Sequence, residues 1–337
     1  MTGSTLNALL AELTSFSRDA APRAPAGLDW EELAALAEAH GLAALLSYQL
    51  DYRFLARLQP PPAVRERLAA SFNAAVNDNV LKVTHLRRLL TAEEMPPVVV
   101  LGPPSWIDGL YPHIAFREID DVDVWAIDLK AAAGGFAEGG LAVHATGLRG
   151  SEVGARPLAA RLASPDIALR VWRVPAGLRL DSRAAGAFWE RKLPVKAYGP
   201  VAHRLDPADA LVAHVAALAL EGFAVPRIRL VDLREMVLRV DLPAACGGLY
   251  GPGSPPLRGD DVLERARELG LTRALWAGLR LVQELFPEAA AKAAQLALAL
   301  PPRTARLVEE AVVRPALDVR RLRVVRAATA LRRLLLA

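Results

Sequence analysis

The sequence has almost no cysteine, since Cys246 is the only one among 337 residues. One thiol excludes an intrachain disulfide and a cysteine-rich metal site, so we interpret Cys246 as an incidental residue. Long apolar runs are also missing, although 53% of the residues are hydrophobic. No stretch approaches the roughly 18 apolar residues that a membrane-spanning helix needs. We therefore expect a globular protein without a membrane span, large enough for one or two domains.

The N-terminal segment has no basic start followed by a continuous apolar stretch and a small-residue cleavage site. It therefore does not resemble a secretory signal, and we expect a cytoplasmic protein. The formal net charge of +4 is small for this length. Because only a concentrated basic patch argues for a polyanion partner, the total charge does not indicate one.

Basic residues are densest near the C-terminal end, where valine and leucine separate them. This pattern predicts a basic amphipathic helix or pair of helices. The basic face is either a solvated cover of the helical region or a contact surface for RNA, acidic lipid or a partner. The arginines concerned are Arg303, Arg306, Arg314, Arg320, Arg321, Arg323, Arg326, Arg332 and Arg333.

The hydrophobic periodicity changes twice along the chain. Helical spacing dominates the first ninety residues, with a break at Gly41 and a long helix beginning near Pro62. Short β-branched runs follow Pro96, and helical spacing returns at Pro207. The pattern predicts an α+β fold of helices, a small sheet, and more helices. We expect strands at 98–101, 119–127 and 167–174, glycine-rich connections near Gly134 and Gly140, and helices at 207–220, 228–240, 260–269, 272–286 and 288–300.

Two carboxylates in the second expected strand are candidates for metal binding. Asp121 and Asp123 are separated by one residue, so a strand places both on the same face. Mg²⁺ accepts one or two carboxylates together with phosphate oxygens and water. A strand edge with two solvated aspartates would show the same pattern, whereas Asp120 is out of phase with the pair.

The preceding segment adds possible phosphate contacts. The first expected strand ends at Gly102, and Ser105 lies where a turn could open a helix, so backbone N–H groups and a hydroxyl could meet a phosphate. Arg117 could neutralise a triphosphate, or it could pair with Glu118 or Asp120.

The order of these segments resembles a known family. Gly102, the pair Tyr111-Pro112, Arg117 and the run Asp121-Val122-Asp123 are similar to the pattern LKG, YP, R and DIDLLV of the uncharacterised nucleotidyltransferases of the polymerase β type superfamily. The leading helices, such as WEELAALAEAHGLAALLSYQL, and the trailing helices, such as RARELGLTRALWAGLRLVQELF, also resemble that family. The likeness covers roughly residues 29 to 290.

The resemblance implies a small mixed sheet flanked by helices that holds a nucleoside triphosphate and two Mg²⁺ or Mn²⁺ ions. It implies that Asp121 and Asp123 bind the metals and act in catalysis, and that Gly102, Ser105 and Arg117 contact the nucleotide. The nucleotidyl group would pass to an acceptor that the sequence does not identify: a peptide, a protein, RNA or a small molecule.

The residue pattern and the resemblance together give an expected division of the chain. It comprises a flexible N-terminus at 1–28, an N-terminal helical region at 29–95, a nucleotidyltransferase-like core at 96–200, a C-terminal helical domain at 201–300, and basic C-terminal helices at 301–337.

Three departures from the family pattern concern the expected site. Leu101 stands where the family has lysine, which removes a phosphate-binding cation. Pro103 and Pro104 lack backbone N–H donors where phosphate contacts are expected. The third carboxylate of the family pattern falls on Leu169, and Asp166 could replace it only with a shift in register.

Other polar and aromatic residues receive structural interpretations. We interpret His214, on a largely apolar helix, as a core histidine and Asp232 as a helix-packing or capping residue. Trp125, Trp172 and Trp189 could stack on a base, but core packing is the more common role.

Three functions remain open at this point. The first is a Mg²⁺-dependent nucleotidyltransferase, supported by the arrangement from Gly102 to Asp123. The second is a catalytically degenerate relative that binds a nucleotide or partner without turnover, supported by Leu101, Pro103 and Leu169. The third is an RNA-binding accessory protein that uses the arginine-rich C-terminal segment.

Overall fold

A computed structural model shows a mixed sheet between N-terminal and C-terminal helices, which confirms the predicted α+β class. Its described residues are 3–16, 26–54, 58–107, 109–146, 152–153, 156–157, 159–164, 167–178, 180–243, 248–296, 298–317 and 334–336. Cys246, Asp166 and most of the arginine-rich C-terminal segment lie outside these ranges.

The N-terminal helices begin and end where local signals predict. Asp29 caps the second helix by accepting a hydrogen bond from the Glu32 N–H at 2.9 Å. Gly41 separates the second and third helices with a φ of 67°, which glycine adopts at little cost. Pro62 opens the long fourth helix as its first residue. These helices are α1 (Gly3–Leu13), α2 (Trp30–Ala39), α3 (Ala43–Tyr48), which continues as a π-helical turn (Gln49–Phe54), and α4 (Pro62–Leu90).

Helix α1 lies within the segment expected to be a flexible N-terminus. Leu6, Leu9, Leu10 and Leu13 recur at helical spacing and are buried in the same core as the C-terminal helices. An isolated helix of this length is marginal in water, so its sequence alone does not indicate order. Burial of the leucine face against the rest of the protein stabilises it.

His40 connects the N-terminal helices to the C-terminal ones. Its Nδ1 accepts a hydrogen bond from the Arg227 N–H at 3.2 Å, and its carbonyl oxygen accepts one from the Ile228 N–H at 3.1 Å. Burial, together with the nearby charge of Arg227, lowers the pKa of His40 to about 4. The imidazole is therefore neutral at pH 7 with a free lone pair on Nδ1, as this hydrogen bond requires.

Acidification should weaken this connection. The pKa of His40 is lower in the folded state than the ordinary 6.5, so its stabilising contribution is present above pH 6.5 and is lost as pH falls towards 4. The stability advantage of the wild type over His40→Asn should shrink by about 2 kcal/mol between pH 7 and pH 5. Urea unfolding of both proteins at each pH measures this. Parallel pH dependence in the two proteins would contradict the assignment.

The central sheet has seven strands in the order β3-β6-β7-β2-β1-β9-β8. Strand β2 pairs antiparallel to β1 and parallel to β7, and β1 pairs parallel to β9. The sheet strands are β1 (Val98–Leu101), β2 (Val122–Trp125), β3 (Ala142–Thr146), β6 (Ala159–Ala163), β7 (Ala168–Trp172), β8 (Leu193–Pro194) and β9 (Ala202–Arg204), while β4 (Glu152–Val153) and β5 (Arg156–Pro157) form a separate ladder.

The two faces of the sheet have different neighbours. Val122, Val124, Leu169 and Val171 are buried in one cluster with the end of α4 and with the helix that follows β2. The alternating positions, such as Asp123, project from the opposite face. Trp125 on that face is fully buried in the core shared with the helices. The alternation therefore leaves polar side chains at one end of an otherwise apolar face.

Several elements of this middle region differ from expectation. The segment containing Gly134, expected as a glycine-rich connection, is helix α6 (Leu129–Glu138), in which Asp128 caps the first turn and Phe136 is fully buried. Strands β2 and β7 are each shorter than the predicted runs. Two further helices in this region are α5 (Pro103–Trp106) and α7 (Ser182–Glu190).

The C-terminal helices follow the predicted order with boundaries that shift by a few residues. Over the residues that the structure describes, every helix is too short or too polar to cross a lipid bilayer. These helices are α8 (Pro207–Leu220), α9 (Arg227–Leu238), α10 (Gly259–Glu268), α11 (Thr272–Leu285), α12 (Pro287–Gln295), α13 (Pro302–Val308) and α14 (Arg314–Leu317), with a π-helical turn (Glu309–Val313) before α14.

Candidate functional site

A cavity of about 500 Å³ lies where the sheet meets the C-terminal helices. Residues of β1, β2, β7, α5, α8 and α9 line it. All five candidate site residues from the sequence belong to this lining: Gly102, Ser105, Arg117, Asp121 and Asp123. The fold therefore brings together residues that the sequence spreads over 22 positions, and it adds residues from later elements.

Asp121 and Asp123 lie beside a guanidinium group. Arg170 Nε lies 2.7 Å from Asp123 Oδ1, and Nη2 lies 2.9 Å from Oδ2, so Arg170 binds both carboxylate oxygens. The third nitrogen, Nη1, lies 3.7 Å from Asp121 Oδ2. All three side chains are between 28% and 34% exposed. The acidic pair is therefore accessible from the cavity and already has a cationic partner.

The surroundings stabilise this arrangement. Trp172 Nε1 donates a third hydrogen bond to Asp123, at 2.7 Å from Oδ1. Burial acts to lower the pKa of Arg170, but the charge of Asp123 and its hydrogen bonds outweigh burial and raise the pKa above its ordinary value. Arg170 is therefore a permanent positive charge at this position.

Strand pairing explains why Arg170 occupies this place. The parallel register sets Arg170 opposite Asp123 and Leu169 opposite Val122. Leu169 is fully buried on the other face, so the position expected to carry the third carboxylate points away from the cavity. The residue on β7 that faces the acidic pair is an arginine. Strand alternation in the sequence indicates that Arg170 and Trp172 share a face of β7, but only the register with β2 shows that this face meets Asp123.

Gly102 and Ser105 border the cavity at the end of β1. Gly102 has φ 65° and ψ −150°, a conformation that strongly favours glycine. The Ser105 hydroxyl donates to the Gly102 carbonyl at 2.8 Å, and the residue is 3% exposed. Pro103 and Pro104 begin α5 and offer no N–H. The location agrees with the expected phosphate contacts, which stay a prediction.

Arg117 forms a buried ion pair in the lining of the cavity. Its Nε lies 3.0 Å from Asp232 Oδ2, and its Nη1 donates to the Glu118 carbonyl at 2.6 Å. The Tyr111 hydroxyl donates to the same Asp232 carboxylate. Asp232 is fully buried and Arg117 is 8% exposed. The partner of Arg117 is thus on α9, and not the nearby carboxylates of Glu118 or Asp120 that the sequence suggested.

Burial and charge act in opposite directions on this cluster. Burial lowers the pKa of Arg117, but Asp232 outweighs that effect and the pKa is raised. Burial, and next the charge of Asp232, raise the pKa of Tyr111 well above its ordinary value. Arg117 is therefore cationic and Tyr111 is neutral, and the pair joins the segment before β2 to α9.

His214 and two of the tryptophans are core residues. His214 is 8% exposed, its Nε2 contacts the Arg229 carbonyl oxygen at 2.9 Å, and its ring packs edge-on against Trp106. Burial is the main cause that lowers its pKa to about 4, so the ring is neutral. Trp125 packs edge-on against Trp189 and donates to a backbone carbonyl. His214 and Trp172 both line the cavity, and Trp172 also contacts Asp123.

The profile of the uncharacterised nucleotidyltransferase family matches residues 26–287, which is more than half of the chain. The chain belongs to this family. Comparisons with curated proteins and with solved structures give no match. The family agrees with the geometry, since the cavity is built from the glycine-ended strand, the aspartate strand and the trailing helices of the nucleotidyltransferase pattern. A nucleotidyltransferase-like function is therefore supported for this protein.

The lining of the cavity carries an excess of negative charge. Five carboxylates and three guanidinium groups line it. Three carboxylates have close arginine partners, namely Asp232 with Arg117, Asp123 with Arg170, and Glu221 with Arg229. Asp120 and Asp121 remain as the excess. A polyphosphate entering this cavity would meet net repulsion unless a cation accompanies it.

The residues present fit one divalent cation better than two. Asp121 and Asp123 share a face at the cavity, and Mg²⁺ needs only one or two protein carboxylates when phosphate oxygens and water complete its coordination. Among the described residues, no group of three or more histidine, cysteine, aspartate or glutamate side chains could hold a metal. The position expected to carry the third carboxylate is Leu169, which is buried on the other face of the sheet.

Sequence reasoning missed four residues of this lining: Arg170, Trp172 as an Asp123 partner, Glu221 and Arg229. Strand alternation puts Arg170 and Trp172 on one face of β7, but only the register with β2 brings that face to Asp123. Glu221 and Arg229 flank the turn between α8 and α9 and carry no local signal. Only the packing of that turn over the sheet brings them to the cavity.

Proposed function

We propose that this protein binds a nucleoside triphosphate with a divalent cation in the cavity and transfers its nucleotidyl group to an acceptor. The observation that carries the proposal is the position of Asp121 and Asp123 at a cavity whose lining has two carboxylates in excess. Such a lining attracts a divalent cation and repels a bare polyphosphate, so the two should bind together.

The lining supports a division of roles among its residues. Asp121 and Asp123 would hold Mg²⁺ or Mn²⁺, which when bound supplies charge neutralisation and polarises a phosphoryl oxygen. Gly102 follows Leu101, which pairs with Asp123 in the sheet, so Gly102 and Ser105 would border the phosphates. Apolar side chains of α8 also line the cavity and suit a nucleobase or an apolar part of an acceptor. Arg117 and Asp232 would support the cavity wall through their ion pair.

Metal-dependent triphosphate binding provides the first test. The variant Asp121→Asn/Asp123→Asn should bind ATP, CTP, GTP or UTP at least tenfold more weakly than the wild type in Mg²⁺, measured by equilibrium dialysis. Charge alone predicts the opposite result, because removing two carboxylates reduces repulsion of a polyanion. A loss of affinity therefore reports the cation. Equal or stronger binding by the variant, for every nucleotide tested, would refute the proposal.

A matched control uses a second adjacent pair of acidic residues. Asp260 and Asp261 lie in the first turn of α10 and do not line the cavity. The variant Asp260→Asn/Asp261→Asn has the same change in net charge and should bind nucleotide like the wild type.

The second candidate is a nucleotide-binding relative without turnover. The pairing of Arg170 with Asp123 favours it, together with Leu101 and Pro103 in place of phosphate-binding groups. Pyrophosphate release distinguishes the two functions. Release above an enzyme-free control, measured with a peptide, RNA or small-molecule acceptor, would exclude the non-catalytic function.

A further inference from the structure

Asp123 already has a cationic partner, the guanidinium group of Arg170. We infer that Arg170 takes the place of one of the two metal ions that the nucleotidyltransferase resemblance implies, so that the cavity binds a single divalent cation per chain. This inference rests on the proposed function for its biological role. Its structural basis is independent of that role, because it concerns the three side chains of Arg170, Asp121 and Asp123.

The hydrogen bonds of Asp123 are the first argument. Both of its oxygens accept from Arg170 at 2.7 and 2.9 Å, and Oδ1 also accepts from Trp172 at 2.7 Å. A parallel fork of this kind is the strongest geometry for an arginine and a carboxylate. A metal ion that bound Asp123 at the same place would have to displace two charge-assisted hydrogen bonds. The guanidinium therefore competes directly with a metal.

The position of Arg170 on the sheet is the second argument. The register of β2 and β7 places Arg170 directly opposite Asp123, on the strand where the family pattern has its third carboxylate. A carboxylate here would add a negative ligand next to Asp121 and Asp123. The position expected to carry that carboxylate is Leu169, which points to the other face, and the residue of β7 beside the pair is the positively charged Arg170. Like charges at this distance repel, so the guanidinium disfavours a second cation.

The remaining charge of the cavity is the third argument. Arg170 makes close hydrogen bonds to Asp123 but approaches Asp121 only to 3.7 Å. Asp121 therefore retains a free coordination position, and the lining still has two carboxylates in excess. One divalent cation balances that excess, whereas a second would leave the cavity positive before a nucleotide binds.

The inference is tested by titrating the full chain with Mn²⁺ in the absence of nucleotide. Electron paramagnetic resonance measures binding as the loss of the free-ion signal. The wild type should bind one ion per chain at this site. Arg170→Glu introduces the missing carboxylate and should lower the Mn²⁺ dissociation constant at least tenfold. Adding Asp121→Asn to Arg170→Glu should abolish that gain, which places the new affinity at this pair.

A surface arginine provides the matched control. Arg183 is exposed on α7 and does not line the cavity. Arg183→Glu has the same charge change as Arg170→Glu and should leave Mn²⁺ affinity within about twofold, since solvent screens distant charges. Equal Mn²⁺ affinity in the two variants would show that Arg170 does not compete with a metal ion at Asp123.

The inference is overturned by a gain below tenfold in Arg170→Glu, or by a wild type that binds no ion or two ions at this site. If circular dichroism shows that Arg170→Glu does not fold, the Mn²⁺ titration is repeated with Arg170→Gln. This variant removes the positive charge without adding a carboxylate. A gain of threefold or more then supports the inference, and a smaller change overturns it. Failure of nucleotide binding or transfer would refute the proposed function and leave this result unaffected, because the titration contains no nucleotide.

Discussion

Replacing Asp232 with asparagine should lower the free energy of unfolding by about 3–5 kcal/mol. Asp232 is fully buried and holds Arg117, whose Nε lies 3.0 Å from Oδ2. Asparagine can still accept the hydrogen bond from Tyr111, so the main change is the loss of the negative charge. Arg117 would then be a buried cation without its counter-charge, which is among the most destabilising changes in a protein interior. Denaturant unfolding measures the effect.

A double-mutant cycle separates this ion pair from the packing of its side chains. Arg117→Met/Asp232→Asn removes both charges, so it should be more stable than the sum of the single changes predicts by about 2 kcal/mol. Arg65→Met serves as a control, because the Arg65–Asp51 pair is largely exposed and should contribute at most about 1 kcal/mol. Additive single and double effects would show that Arg117 and Asp232 are not coupled.

Substituting Gly177 with alanine should cost roughly 2–4 kcal/mol of unfolding free energy. Gly177 has φ 84°, and a Cβ atom built there lies 2.5 Å from the Ala216 carbonyl oxygen and 2.6 Å from its carbon. Ala216 belongs to α8, so the clash involves helix backbone that cannot rotate away. Gly177 follows Ala176, and Ala176 lines the cavity. The substitution should therefore also separate this loop from α8.

Two other glycines separate the two expected causes of destabilisation in Gly177→Ala, namely backbone strain and the clash with Ala216. Gly140 has φ 98° with no atom within 4 Å of an added Cβ, so Gly140→Ala reports backbone strain alone, about 1–2 kcal/mol. Gly186, inside α7, has neither a positive φ nor a close neighbour, so Gly186→Ala should stabilise the protein by about 0.5–1 kcal/mol. Urea unfolding gives all three values. A Gly177→Ala effect no larger than that of Gly140→Ala would exclude the clash with Ala216.

Elements with local end signals were predictable from the sequence. Pro62 and Pro207 are the first residues of their helices, as predicted. Gly41 lies in the turn between α2 and α3, also as predicted. The run Val98–Leu101 is a buried strand because β-branched residues lie between proline and glycine. In each case the deciding interactions involve residues close together in the chain.

Elements that depend on distant partners were not predictable in this way. Strand β6 is rich in alanine and pairs with both β3 and β7, which supply its hydrogen bonds. Helix α6 contains two consecutive glycines but buries Phe136 against the sheet. Helix α1 is ordered by burial of its leucines. Tertiary packing outweighs weak local propensity in all three.

The candidate site divides in the same way. The sequence by itself determined that Asp121 and Asp123 share one face of a strand, because side chains alternate along an extended backbone. It also determined that Gly102 and Ser105 precede them at the end of a strand. Only the tertiary structure decided that Arg170 neutralises Asp123 and that Asp232 holds Arg117. Those contacts join residues 47 and 115 positions apart, and strand register and helix packing, which no local pattern specifies, set their distances.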